Sequence, residues 1–106
     1  NGSETVAHAT CKNLAGHYLE HEHGYHVGFE VTHDNRGEID VVGIRENEII
    51  AIETETSPTQ DVVDDKLNRY VDGTPIRDMF LLNVNQMPEN WMEAYRWIDG
   101  QIYSSL

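Results

Sequence analysis

The spacing of apolar positions changes along the chain, and each change marks an element. From Ser3 and Glu4 onward, apolar or small residues recur at Val6, Ala7, Cys11, Leu14, Ala15, Tyr18 and Leu19, the stripe of an amphipathic helix opened by a serine cap. Gly24 supplies the left-handed residue that ends it. Tyr25, Val27, Phe29 and Val31 then alternate with His26, Gly28, Glu30 and Thr32, which predicts a strand with one buried face. Asp34-Asn35-Arg36-Gly37 reads as a turn. Ile39, Val41, Val42 and Ile44 predict a second strand, Arg45-Glu46-Asn47 a tight turn, and Ile49 to Ile52 a third strand rich in β-branched residues. Short links between adjacent strands make this an antiparallel meander.

Ser57-Pro58-Thr59 breaks the pattern and carries helix-start chemistry, and Val62, Val63, Lys66, Leu67 and Tyr70 follow at helical spacing. Gly73-Thr74-Pro75 closes that helix. Met79 to Val84 is a nearly continuous apolar run, as expected of a buried strand returning parallel after a helical crossover. Pro88 opens a last helix, Glu89 to Ile98, and the residues after Gly100 read as a frayed tail or an edge strand. Trp91 and Tyr95 stand four apart on that helix, the spacing of a core or dimer-interface pair, whereas Trp97 falls off their stripe and is expected to be exposed. The order is α-β-β-β-α-β-α, an α/β class with a mixed central sheet flanked by helices. With 106 residues and no internal linker, residues 1–106 form one domain.

Composition narrows the function. Nineteen Asp plus Glu against seven Lys plus Arg give a formal net charge of −12, and only Lys12 and Lys66 are lysine. Such a surface repels phosphate backbones at ordinary salt. It suits a salt-rich, halophilic cytoplasm, where the Debye length falls to about 3 Å at 1 M and self-repulsion is screened. No apolar run approaches the roughly 18 residues of a membrane span, and no basic-then-apolar signal segment is seen, so the expectation is a cytoplasmic protein without membrane contact. Cys11, the single cysteine, has no intramolecular partner and is expected in the core.

Candidate chemistry concentrates in the second and third strands. Gly37-Glu38-Ile39-Asp40-Val41-Val42 and Ala51-Ile52-Glu53-Thr54-Glu55-Thr56 flank one hairpin. A turn near Glu46 sets Asp40 opposite the region of Glu53, and period-2 alternation puts Glu53 and Glu55 on one face. Three oxygen ligands of this kind suit Mg²⁺ or Mn²⁺. The bland alternative is a solvated acidic surface. Against it, apolar strands lead directly into each acid and place them at the margin of a core.

These residues carry a resemblance. Arg36-Gly37-Glu38-Ile39-Asp40-Val41-Val42, a short hairpin, and Ile49-Ile50-Ala51-Ile52-Glu53-Thr54-Glu55 resemble the core of the PD-(D/E)xK nucleases, nearest the archaeal Holliday junction resolvase-like branch. The element order resembles that family's restriction endonuclease-like α-β-β-β-α-β core over Ser3 to Val84, here with a C-terminal helix added. The resemblance implies Asp40 and Glu53 as metal ligands, with the Thr54 carbonyl as a further oxygen. The family's lysine falls on Glu55, which would bind a second metal or accept a proton, an arrangement similar to the E-x-E of some type II restriction enzymes. Lys66, on the following helix, is the candidate to bring an ammonium to the site, and Gln60 is a candidate for phosphate or water. A further family acid comes from the first helix. Alignment of the helix ends sets Lys12 or Asn13 near that position, and among Glu20, Glu22 and Glu4 the choice is Glu20. What this implies is a Mg²⁺- or Mn²⁺-dependent phosphodiester hydrolase, a homodimer acting on DNA, branched DNA included. The alternative is a catalytically degenerate nuclease fold serving as a nucleic-acid-binding or protein-interaction module. A third reading is an unrelated acidic scaffold.

Four of six histidines, His17, His21, His23 and His26, fall within ten positions. His17-Tyr18-Leu19-Glu20-His21 spells H-x-x-E-H, a zinc pattern that normally needs a larger scaffold and a distant third ligand. The simpler reading is a polar helix face with His23 at a helix C-terminus, where cations are favoured. The cations Arg36, Arg45, Lys66, Arg69 and Arg77 are scattered, with Arg36 and Lys66 flanking the acidic cluster.

Overall fold

The computed structural model describes residues 5–34 and 36–106. Helix α1 (Val6–His23) is followed by strands β1 (His26–Thr32), β2 (Glu38–Arg45) and β3 (Glu48–Glu55), helix α2 (Gln60–Tyr70), strand β4 (Asp78–Asn83) and helix α3 (Trp91–Ile102). The sheet order is β1-β2-β3-β4, antiparallel through the meander and parallel between β3 and β4. The chain is therefore α/β, with a four-stranded mixed sheet flanked by helices. No described helix is long and apolar enough to cross a membrane.

The sheet separates two cores. On one face Cys11, Ala15, Tyr18 and Leu19 of α1 and Ile98 and Ile102 of α3 pack on Val41, Ile50, Ile52 and Leu82. On the other, Tyr70 at the end of α2, with Leu67 and Val71, packs on Ile39, Val42, Ala51 and Met79. Alternation along β3 sends Ile50 and Ile52 to the first core and Ala51 to the second, so the strand is buried on both faces.

Capping accounts for the element boundaries. The Thr5 hydroxyl accepts the His8 amide at 3.2 Å and starts α1, while the Ser3 and Glu4 start lies outside the described residues. Gly24 ends α1 at φ 70. Val6 and Ala7 are exposed, so the buried stripe begins at Cys11. Thr59 caps α2, and Asn90 caps α3 by accepting the amides of Met92 and Glu93. The last helix thus starts two residues later than Pro88 suggests, and it runs on through Gly100 to Ile102, then into a 3-10 turn at Tyr103–Ser105, because Ile98 and Ile102 are both buried. The frayed or edge-strand reading of that tail is corrected. So are the core placing of Trp91, which is 64% exposed in the single chain, and the exposure expected of Trp97, which packs partly buried against the first core.

The single buried face expected of β1 is corrected as well. Val27 and Phe29 face Gly16 of α1, but Val31 packs in the core beside α2. Across from it, Ile39 and Val41, two residues apart in β2, also belong to opposite cores. The β1–β2 ladder pairs Phe29 with Val41 and Val31 with Ile39 but skips Glu30 and Asp40, and Glu30 has φ 52. Both strands change face at this point, the kind of local irregularity that re-aims side chains. The intervening turn closes through His33 N donating to Gly37 O, with Asn35 outside the described residues.

Candidate functional site

The face change in β2 coincides with the end of its ladder to β3. Regular pairing stops at Val41 with Ile52. The position that would come next joins Asp40 to Glu53, and there side chains replace the main-chain bonds. The Asp40 amide donates to Glu53 Oε2 at 2.7 Å. In return Asp40 Oδ2 accepts the Thr54 amide at 2.8 Å and the Thr54 hydroxyl at 3.0 Å. The strands fork, and the two acids close the fork by satisfying main-chain donors that would otherwise be left without partners.

Lys66 completes the arrangement from α2. Its Nζ donates to Glu53 Oε1 at 2.8 Å and lies 3.8 Å from Glu55 Oε1. One ammonium touching both glutamates is what the shared face of positions 53 and 55 requires. Burial pushes Glu53 above the ordinary carboxylate value, against the lowering effect of the Lys66 and Asp40 hydrogen bonds. Burial also works against the Lys66 ammonium, but the hydrogen bond and charge of Glu53, with the charge of Glu55, outweigh it and leave Lys66 above its ordinary value. Lys66 is therefore a fixed cation at neutral pH.

On the α1 side, buried Lys12 pairs with Glu30 Oε1 at 3.0 Å, at the same irregularity of the sheet. Its neighbour Cys11 is wholly buried, and its thiol is pushed up to about 12, first by burial and then by the charge of Asp40. The chain's only two lysines thus pair with glutamates on either side of β2, Lys12 of α1 with Glu30 of β1 and Lys66 of α2 with Glu53 of β3.

Of the residues singled out in the sequence, Asp40, Glu53, Glu55 and Lys66 come together. Glu20 does not: it is exposed on α1, about two turns and 12 Å along the axis from Lys12, because the inward stripe at that level is Tyr18 and Leu19. Glu22 instead accepts the Tyr95 hydroxyl at 3.1 Å, and Glu4 lies outside the described residues. Gln60 donates to Asp64 of its own helix, and Arg36 donates to the Arg69 carbonyl. His17 faces His21 and Tyr95, away from the fork. Residue reasoning overlooked Glu30, which alternation assigns to a solvent face; Thr54, named for its carbonyl as a metal oxygen, engages Asp40 through its amide and hydroxyl. Lysine scarcity was the available signal for Lys12.

Among the described residues, no group of three or more His, Cys, Asp or Glu side chains is arranged to hold a metal ion. What the two interlocked acids of the fork offer a hard cation is a single open carboxylate oxygen. No described donor reaches Asp40 Oδ1, and Mg²⁺ is commonly held by one or two carboxylates with waters and substrate phosphate completing its shell. Compared with protein-family models, with curated proteins and with solved structures, the chain gives no match.

Proposed function

We propose that the chain is a metal-dependent DNA phosphodiester hydrolase with a restriction endonuclease-like core, as its resemblance to the PD-(D/E)xK nucleases implies. The observation that carries this reading is the β2–β3 fork, where Asp40 and Glu53 are interlocked and Lys66 reaches Glu53 at 2.8 Å and Glu55 at 3.8 Å. The family lysine missing from position 55 has a spatial counterpart in Lys66, supplied by α2. At the first helix the charge is exchanged in the opposite sense: Lys12 stands near the expected acid and is paired with Glu30.

Asp40 Oδ1 and Glu53 would hold Mg²⁺ or Mn²⁺, which when bound supplies a more acidic water and neutralises charge on the phosphate. The protein groups divide the remaining work. Thr54 fixes the Asp40 carboxylate, so its second oxygen faces a set direction. Lys66, charged at neutral pH, cannot act as a base; it orients a water or a phosphate oxygen and limits repulsion between Glu53 and Glu55. Glu55 is the more open of the two glutamates and would accept a proton from the attacking water. The charge of −12 makes DNA approach dependent on screening salt, and a homodimer would give so small a domain enough surface to hold two duplex arms.

A catalytically degenerate module is favoured by one observation: both Glu53 oxygens already accept protein donors. Incubation with supercoiled, linear, branched and single-stranded DNA at high KCl with Mn²⁺ separates the readings. Cleavage abolished by Asp40→Ala, Glu53→Gln and Lys66→Met supports the hydrolase. Binding without cleavage supports the module. If neither occurs, and Mg²⁺ titrates wild type and Asp40→Ala identically, both fail.

A further inference from the structure

A groove of about 540 Å³ runs between α1 and α3 and shares no residue with the fork. That size is within the range of small-molecule sites. His17 and His21 line it from consecutive turns of α1, and Trp91 and Tyr95 from consecutive turns of α3. The His17 and His21 ring centroids are 4.0 Å apart, and the Tyr95 ring meets His17 edge-on at 6.1 Å. Helix α3 buries Ala94, Ile98 and Ile102, which leaves Trp91 as an open indole on the groove side.

Charge decides what such a groove accepts. Glu22 lines it, and no lysine or arginine does among the described residues. The Tyr95 hydroxyl donates to Glu22 Oε2 at 3.1 Å, and no described donor reaches Oε1. A carboxylate with one open oxygen in a groove lined by aromatic rings favours a cation whose head group is apolar enough to sit against them. An anion would meet Glu22 and a chain of charge −12, and a neutral ligand could donate a hydrogen bond to Glu22 but would gain nothing from its charge.

We propose that this groove binds a small organic cation bearing a methylated ammonium head, held against Trp91, Tyr95 and His17 with Glu22 as counter-charge. The test compares choline with 3,3-dimethylbutanol, its neutral isostere, by amide and indole NMR shifts at fixed high KCl. Choline should give saturable shifts centred on Trp91, Tyr95 and His17, with affinity at least about fivefold above the isostere. Trp91→Ala should weaken it about threefold, the loss expected of one exposed cation–π contact. Glu22→Gln, which keeps an acceptor for Tyr95, should weaken choline but not the isostere. Equal affinity for the two probes, shifts spread over other acidic surface, or self-association of the chain that covers Trp91 would each overturn the proposal.

Discussion

Glu53 reaches back across the β2–β3 fork to take the main-chain amide of Asp40 at 2.7 Å, and Asp40 takes the amide of Thr54 at 2.8 Å. Each acid thus replaces the ladder bond that the other's strand has lost. The same side chains that resemble a hydrolytic centre are therefore structural, and substitutions will report on both roles.

Lys66→Met should be the most damaging change on the α2 side. It leaves Glu53, 4% exposed, as a buried carboxylate without its cation, at a cost of about 3 kcal/mol or more at neutral pH. Because burial already pushes Glu53 up, the variant's carboxyl should take a proton as pH falls, and the deficit against wild type should shrink toward pH 4. Urea unfolding of both proteins at pH 7 and at pH 4 checks this; a deficit independent of pH would show that Glu53 does not carry the charge.

Thr54→Val should remove the hydroxyl donor to Asp40 while leaving the amide donor in place. A loss of about 1 kcal/mol is expected, since one hydrogen bond of a still-satisfied carboxylate disappears. If the chain is a hydrolase, activity should fall by more than stability does, because Asp40 Oδ1 loses its set direction. Denaturation midpoints and cleavage rates on the same preparation measure the two effects.

Cys11 should resist thiol reagents at pH 8 in the native state and react once the chain is unfolded, since the thiol is wholly buried and pushed up to about 12. Unfolded, it titrates near its ordinary value of 9.0. Between those values the unfolded state binds fewer protons than the folded one, so stability must fall as pH rises through that window. The stability difference between wild type and Cys11→Ala should narrow or reverse by up to about 1.4 kcal/mol per pH unit. A difference constant from pH 8 to 11 would contradict this.

Gly37→Ala should destabilise by about 1–3 kcal/mol, the range for a residue forced into a glycine conformation. Gly37 has φ 125, and a methyl group there would lie 2.5 Å from the Tyr70 hydroxyl oxygen. The glycine that precedes Glu38-Ile39-Asp40 thus has a packing reason: Tyr70, at the end of α2, lies against it. Displacement of Tyr70 should appear in its ring resonances.

Added KCl should stabilise the chain from ~0.1 to 2 M by screening the repulsion of a net charge of −12. Thermal midpoints across that range decide it, and an unchanged midpoint would remove the halophilic reading.

Local periodicity and turn chemistry were sufficient for the order α-β-β-β-α-β-α, for Gly24 as the end of α1 and for the hairpin register that faces Asp40 toward Glu53, because each depends on neighbours a few residues apart. The common face of Glu53 and Glu55 follows from the pleat alone. Beyond that, one-dimensional pattern misleads. The regular alternation of β1 and β2 does not continue through Glu30 and Asp40, since the sheet must serve one core beneath α1 and another beneath α2, and the strands change face between them. Only the packed fold places Lys66 against Glu53 and Lys12 against Glu30, contacts between residues 13 and 18 positions apart. It also exposes Trp91 and packs a partly buried Trp97 against the core, because which side of α3 meets the core is set by α1 and the sheet rather than by the helix's own spacing.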